Sequence, residues 1–192
     1  YALAIEQGAD VIEPDLVASA DGVLHARHDL GLERSTDIAS RAQFGARRRA
    51  GEDGREDWWI ADFSAAELAG LRAVQPWPQR PHHRDGCFPL PRFSEVLDLL
   101  LLERRRRERP LLAYPELKHP QYFAARGIDV VESLAADVEA RGLVGPDAPV
   151  LVQCFDPATL QRVRARTGLR TVLLASELPA VDADVGGFGI AK

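Results

Sequence analysis

Apolar positions along the chain follow two alternating rhythms. Short continuous apolar runs bounded by turn signals mark strands, and apolar residues recurring at three- and four-residue intervals mark helices. "YALAIEQGAD" reads as the last turns of a helix, with Gly8 as its C-terminal cap. "GADVIEPDLV" follows, and Val11, Ile12, Leu16 and Val17 predict a buried strand over roughly residues 10–16. "SADG" is a turn signal, and "VLHARHD" predicts a second short strand over residues 23–29. Ser64 with Glu67 three residues on is a capping box, which predicts a short helix. Phe93, Val96, Leu97 and Leu100 form one helical stripe, and that helix ends in "ERRRRERP". "LLAYPELK" predicts a buried strand, and residues 129–141 predict an amphipathic helix with Val131, Leu134, Ala135 and Val138 on one side. "PVLVQCF" predicts a strand. "DPATLQRVRARTG" predicts a helix with Asp156 as N-cap, Pro157 in its first turn and Gly168 as its stop. "LRTVLLA" predicts another strand, and "GFGIAK" begins one more.

Strands thus alternate with helices, the pattern of a parallel sheet flanked by helices in an α/β protein. Residues 30–62 and 75–91 break the pattern and read as irregular loop insertions into a single domain spanning residues 1–192. An open doubly wound sheet and a (β/α)8 TIM barrel both satisfy the alternation. No glycine-rich phosphate loop follows any strand. A barrel runs to about 250 residues, so this chain would hold about five or six of its eight units. The expected architecture is a TIM barrel incomplete at both ends.

Composition narrows the class. The net charge of −5 is opposite to the basic footprint of a nucleic-acid binder. No apolar run approaches the roughly 20 residues that cross a bilayer, so no transmembrane segment is expected. Two cysteines, Cys87 and Cys154, give no disulfide framework and no metal spacing; two free thiols are expected, with a single disulfide between them as the alternative. The arginine runs 47–49 and 104–107 read as solvated surface, the second partly neutralised by Glu103 and Glu108.

The chemistry lies at strand ends. Glu13 and Asp15 are one residue apart in a strand, so they share a face, while Ile12 and Leu16 share the other. Pro14 between them supplies no N–H, so regular pairing should fade there. "LLAYPELK" repeats the design: apolar first, then Glu116 and Lys118 on one face beside Pro115. Three converging carboxylates repel, by about 4 kcal/mol per pair at ~4 Å and an effective dielectric near 20. A divalent cation removes that cost, and an all-oxygen set suits Ca²⁺ or Mg²⁺. The plainer alternative is a buried acid paired with an arginine or lysine. His28 ends the second strand and precedes Asp29, a position for a general acid or base or for an ordinary surface histidine. His25 lies on the opposite face by strand parity, and His82 and His83 sit in a polar loop. His119 follows Lys118, with nothing in the sequence to select it.

Together "GADVIEPDLVASADGVLHARHDLGLERSTD", "FPLPRFSEVLDLL", "LLAYPELK" and "VLVQCFD" resemble the glycerophosphodiester phosphodiesterase family across most of the chain. The first and third carry the likeness; the "YPELK" and "QCFD" forms resemble its bacterial periplasmic or secreted branch. The resemblance implies a (β/α)8 barrel. It implies a divalent cation, Ca²⁺ before Mg²⁺, on Glu13, Asp15 and Glu116, with His28 as one of two catalytic histidines. It implies that Lys118 faces the phosphate and that Phe155 and Gln153 line the substrate pocket. The implied reaction is hydrolysis of a glycerophosphodiester to an alcohol such as choline or ethanolamine and glycerol 3-phosphate, in the periplasm or outside the cell. The family's other histidine belongs to an His-Arg-Gly triplet, which is expected upstream of Tyr1 and does not occur here. The whole protein is therefore expected to be the enzyme and this piece inactive. Two rivals remain: a phospholipase of the sphingomyelinase D type, which an apolar rim would favour, and a non-catalytic anion-binding relative.

Overall fold

The computed structural model describes residues 1–107, 109–175 and 188–190. Helix α1 (Ala2–Glu6) closes on Gly8 at φ +98°, with Gly8 N–H donating to Ile5 O and Ala9 N–H to Ala4 O. That paired closure is the left-handed helix stop that glycine permits. Strands β1 (Val11–Ile12) and β2 (Asp15–Ala18) follow, then β3 (Leu24–Ala26). Residues 30–62 fold into short 3₁₀ segments and a small hairpin of β4 (Arg49–Ala50) and β5 (Glu56–Asp57). Helices α2 (Ala65–Leu68) and α3 (Phe93–Arg106) precede β6 (Leu112–Ala113) and β7 (Glu116–Leu117). The chain continues through α4 (Pro120–Ala124), α5 (Val130–Glu139), β8 (Leu151–Cys154), α6 (Pro157–Thr167), β9 (Arg170–Ala175) and β10 (Phe188–Ile190).

The helix signals act as read. Ser64 and Glu67 form the reciprocal box at α2. Asp129 accepts from Val131 and Glu132 N–H at α5, and Asp156 accepts from Thr159 N–H at α6, which Gly168 ends at φ +70°. Each such cap contributes about 1 kcal/mol. The apolar stripes of α3 and α5 are buried, including Phe93, Val96, Leu97, Leu134 and Val138.

Six strands form one sheet in the order β10-β9-β8-β7-β2-β3. All neighbours run parallel except β3, which returns antiparallel beside β2. The expectation of a purely parallel sheet is thus corrected at one edge: "SADG" is too short a link for a parallel crossover and makes a hairpin. The two strands expected to be continuous are each split at a proline, after Glu13 and after Tyr114. Their register is nonetheless unbroken, since Val11↔Leu112 and Ile12↔Ala113 before the gap lead to Asp15↔Glu116 and Leu16↔Leu117 after it. Pairing does not fade beyond Pro14: its carbonyl accepts from Glu116 N–H, and β2 pairs on to Ala18. Helices α3, α5 and α6 pack on one another and on the sheet. Among the described residues the sheet is open, its edges being β10 and β3.

The arginine runs are less idle than expected. Arg104 donates to Leu111 O and Arg107 to Ala9 O, which tie the end of α3 to the starts of β6 and β1. Arg49 takes Asp62 in a two-pronged pair at 2.8 Å. Glu108 lies outside the described residues. Cys87 and Cys154 are free thiols, one exposed and one buried, as expected.

Candidate active site

The strand register builds the site. Asp15, Glu116 and Gln153 are lateral neighbours on β2, β7 and β8, so their side chains emerge in one row on the same face. Leu16 and Leu117, one residue on, turn to the other face and are buried in the core. Glu13, two residues before Asp15, joins the row. Carboxylate oxygens of Glu13, Asp15 and Glu116 all lie within 4.8 Å of one another.

Two groups hold this cluster. Lys118 Nζ sits 3.0 Å from Glu116 Oε1 and 3.6 Å from Asp15 Oδ1. Gln153, only 6 % exposed, donates from Nε2 to Glu13 Oε1 at 2.7 Å and to Tyr114 O at 3.4 Å. Both partners are acceptors, which fixes the amide's orientation. Burial, then the charges of Asp15 and Glu116, hold the Glu13 carboxyl above its ordinary range, although Lys118 and Gln153 pull it down. Burial likewise raises Glu116, against the opposing pull of Lys118. The phenol of Tyr1 is pushed up to about 12 by burial and by Glu13 and Asp15, so it too borders the row. Tyr114 is raised for the same kinds of reason.

Three carboxylates against one ammonium leave two negative charges in excess. The donors are all oxygen, they come from β2 and the segment before it and from β7, and burial, with mutual repulsion after it, leaves Glu13 and Glu116 prone to protonation. A divalent hard cation fits this set by charge and donor chemistry. Lys118 alone, the plainer partner considered from the sequence, offsets only one of the three.

His28 lies just beyond β3, with Nδ1 2.8 Å from Asp29 Oδ1. It lines a cavity of about 280 Å³ together with Trp59, His119 and Tyr122. A second cavity of about 340 Å³ is lined by Glu116, Lys118, His119 and Phe155, which is half-exposed. His119 faces both. It is the one non-glycine residue at positive φ among the described residues, at +49°, where the chain turns from Lys118 into the proline-led α4. Burial, Lys118 and His28 lower its pKa, which favours the neutral ring. His25 is buried at 1 % and contributes nothing to either cavity, as strand parity requires. Phe155 and Lys118 thus share a cavity wall. Gln153 turns its amide to Glu13, so it acts on a carboxylate of the row.

No local pattern selects His119 or Tyr1. A positive φ leaves no trace in a His-Pro dipeptide, and Tyr1 reaches the row only through the fold.

Comparison with known proteins agrees with this geometry. A model of the glycerophosphoryl diester phosphodiesterase family matches residues 1–187. A glycerophosphodiester phosphodiesterase of Arabidopsis thaliana is 37 % identical over 126 residues, which cover 64 % of this chain and 33 % of that protein. A glycerophosphodiester phosphodiesterase of Haemophilus influenzae is 25 % identical over 174 residues, covering 85 % of this chain and 46 % of that one. This chain therefore spans between a third and a half of the length of these relatives. Among solved structures, an Oleispira antarctica phosphodiesterase in complex with the product sn-glycerol-3-phosphate superposes with a TM-score of 0.69 at 20 % identity, covering 98 % of this chain and 66 % of that one. A glycerophosphoryl diester phosphodiesterase from Silicibacter pomeroyi superposes at 0.68 with 23 % identity, covering 95 % and 60 %. At such identities the structures establish the fold, and the open sheet is an incomplete (β/α)8 barrel. Since the family match covers nearly all of it, the chain belongs to the glycerophosphoryl diester phosphodiesterase family.

Proposed function

We propose that the whole protein hydrolyses glycerophosphodiesters to an alcohol and glycerol 3-phosphate, with a divalent cation held by Glu13, Asp15 and Glu116. The observation that carries this reading is the lateral row of carboxylates with Lys118 against it, in a chain of this family. When bound, the cation neutralises phosphate charge and polarises the phosphorus centre. The chain's own residues do the rest. Gln153 holds Glu13 in place, and Lys118 is freed from the acids to meet a phosphate oxygen. His28, oriented through Nδ1 by Asp29, keeps Nε2 for proton transfer to the leaving alcohol. Phe155 closes one side of the phosphate cavity.

Ca²⁺ is proposed ahead of Mg²⁺. Ca²⁺ takes about six to eight oxygen ligands in flexible geometry and so accepts several carboxylates at once, whereas Mg²⁺ retains water and typically takes one or two carboxylates. A periplasmic or secreted location is proposed with it, on the likeness of "YPELK" and "QCFD" to that branch.

The test is release of glycerol 3-phosphate by the full-length protein. Activity should vanish with EDTA and return with Ca²⁺, and Glu116→Ala should lose at least a hundredfold of it, about 2.7 kcal/mol of barrier. Turnover that persists in EDTA contradicts a cation-dependent reaction. Cation binding without any turnover favours the non-catalytic relative.

A further inference from the structure

The arginine-rich segment "GARRRAGEDGRED" folds back as the β4–β5 hairpin and walls the cavity that contains His28. That wall is firmly built. Buried Asp57 accepts N–H groups from Leu32, Glu33 and Trp58 through one carboxylate oxygen, which locks the hairpin to the loop after His28. Arg27, beneath, donates to Asp29 O and Ser35 Oγ. Trp59 Nε1 donates to Arg49 O at 3.0 Å.

The inner surface has a particular chemistry. The guanidinium of Arg55 lies 5.4 Å above the ring of Trp59, and that of Arg126 lies 3.5 Å above Tyr122. These aromatic faces, the usual seat of a quaternary ammonium, are already covered by cations. Among the described residues Arg55 has only long ion pairs, 3.9 Å to Asp53 and 4.0 Å to Asp57, and Arg126 reaches Glu52 at 3.5 Å. Their donors, with the acceptors of Glu52 and Asp53, make a wall of both signs and little net charge. Such a wall recognises hydroxyl groups, which donate and accept at once.

Resting on the hydrolytic reading above, we infer that this cavity receives the leaving alcohol, and that the alcohol it fits is a neutral polyol of headgroup size. It fits neither a choline group nor an acyl chain. His28 stands at the wall, where it can protonate the departing oxygen.

The experiment measures kcat/KM of the full-length protein with Ca²⁺ for glycerophosphoglycerol, glycerophosphoinositol and glycerophosphocholine, and for lysophosphatidylcholine. The polyol diesters should exceed the choline diester by about tenfold, the worth of one to two hydrogen bonds. Arg126→Met and Arg55→Gln should each bring that ratio towards one, whereas damage to the fold would lower all rates in proportion. A choline diester or lysolipid processed as well as the polyol diesters, or a ratio unmoved by both substitutions, overturns the inference alone. No release from any substrate overturns the hydrolytic reading and this inference with it.

Discussion

At the scale of residues, the acids were legible strand by strand because parity is strict: Glu13 had to share a face with Asp15, and Glu116 with Lys118, while the register Asp15↔Glu116 is what joins the two pairs in one row. What parity does not give is the partner. That Gln153 would turn to Glu13, and that His119 would face two cavities, depends on register between strands and on a left-handed turn. Parity also sent His25 inward, and its environment carries a consequence. His25 is buried at 1 %, and neither ring nitrogen has a hydrogen-bond partner among the described residues. Burial, then Arg92 and Arg27, lower its pKa to about 4, against the ordinary 6.5. The unfolded chain therefore binds a proton that the folded chain refuses between those two values. The His25 contribution to folding stability is complete above pH 6.5 and is lost as pH drops towards 4, by roughly 3 kcal/mol at 1.36 kcal/mol per unit. His25→Leu should flatten that decline when urea midpoints are followed from pH 7 to 4. An identical slope in the variant would remove His25 as its cause.

At the scale of elements, helices with a 3.6-residue stripe and a cap were legible, and α3, α5 and α6 begin and end close to where caps and stripes set them. Three features were not. Helix α4 has only five residues, too few to show a period. The strands split at Pro14 and Pro115, although register carries across. The β4–β5 hairpin has two residues per strand and charged side chains, so nothing in its pattern distinguishes it from a solvated loop. Its hold on the His28 loop rests on Asp57 and on the absence of a side chain at Gly31. A Cβ there would lie 2.1 Å from Asp57 Oδ2 and 2.7 Å from its Cγ. Asp57 cannot yield without releasing three N–H groups. Gly31→Ala should accordingly destabilise the protein by about 1–3 kcal/mol, read as a lower urea midpoint at unchanged m-value. It should also lower kcat of the full-length protein by displacing His28. A variant as stable as the parent would mean that the hairpin moves freely on the loop.

At the scale of the whole molecule, the alternation of strands and helices made the α/β class legible, and the missing glycine-rich phosphate loop together with the family resemblance favoured a barrel over a doubly wound sheet. The antiparallel β3 and the division of the mouth into two cavities are tertiary outcomes that no local pattern encodes. The carboxylate row joins β2 to β7, strands that are neighbours in space but far apart in sequence. An ion bound there acts on the fold as a whole. Because Glu13 and Glu116 have raised pKa values, folding keeps protons on them that the unfolded chain releases, and the cation-free protein loses stability as pH rises through the window above the ordinary carboxylate range. A divalent cation competes with those protons and binds the folded chain alone. At a hundredfold excess over its dissociation constant it adds about 2.7 kcal/mol, a Tm increase on the order of 5–10 °C for a chain of this size. The increase should be small near pH 4 and full by pH 7, and EDTA should reverse it. Glu116→Ala should abolish it while leaving the cation-free Tm unchanged or higher, since a like charge has gone. Gln153→Leu should keep it but require more cation, because Glu13 is then unpositioned. A Tm indifferent to Ca²⁺ and Mg²⁺ at pH 7, or a full shift in Glu116→Ala, would mean that Lys118 is the row's sufficient partner and that no cation belongs there.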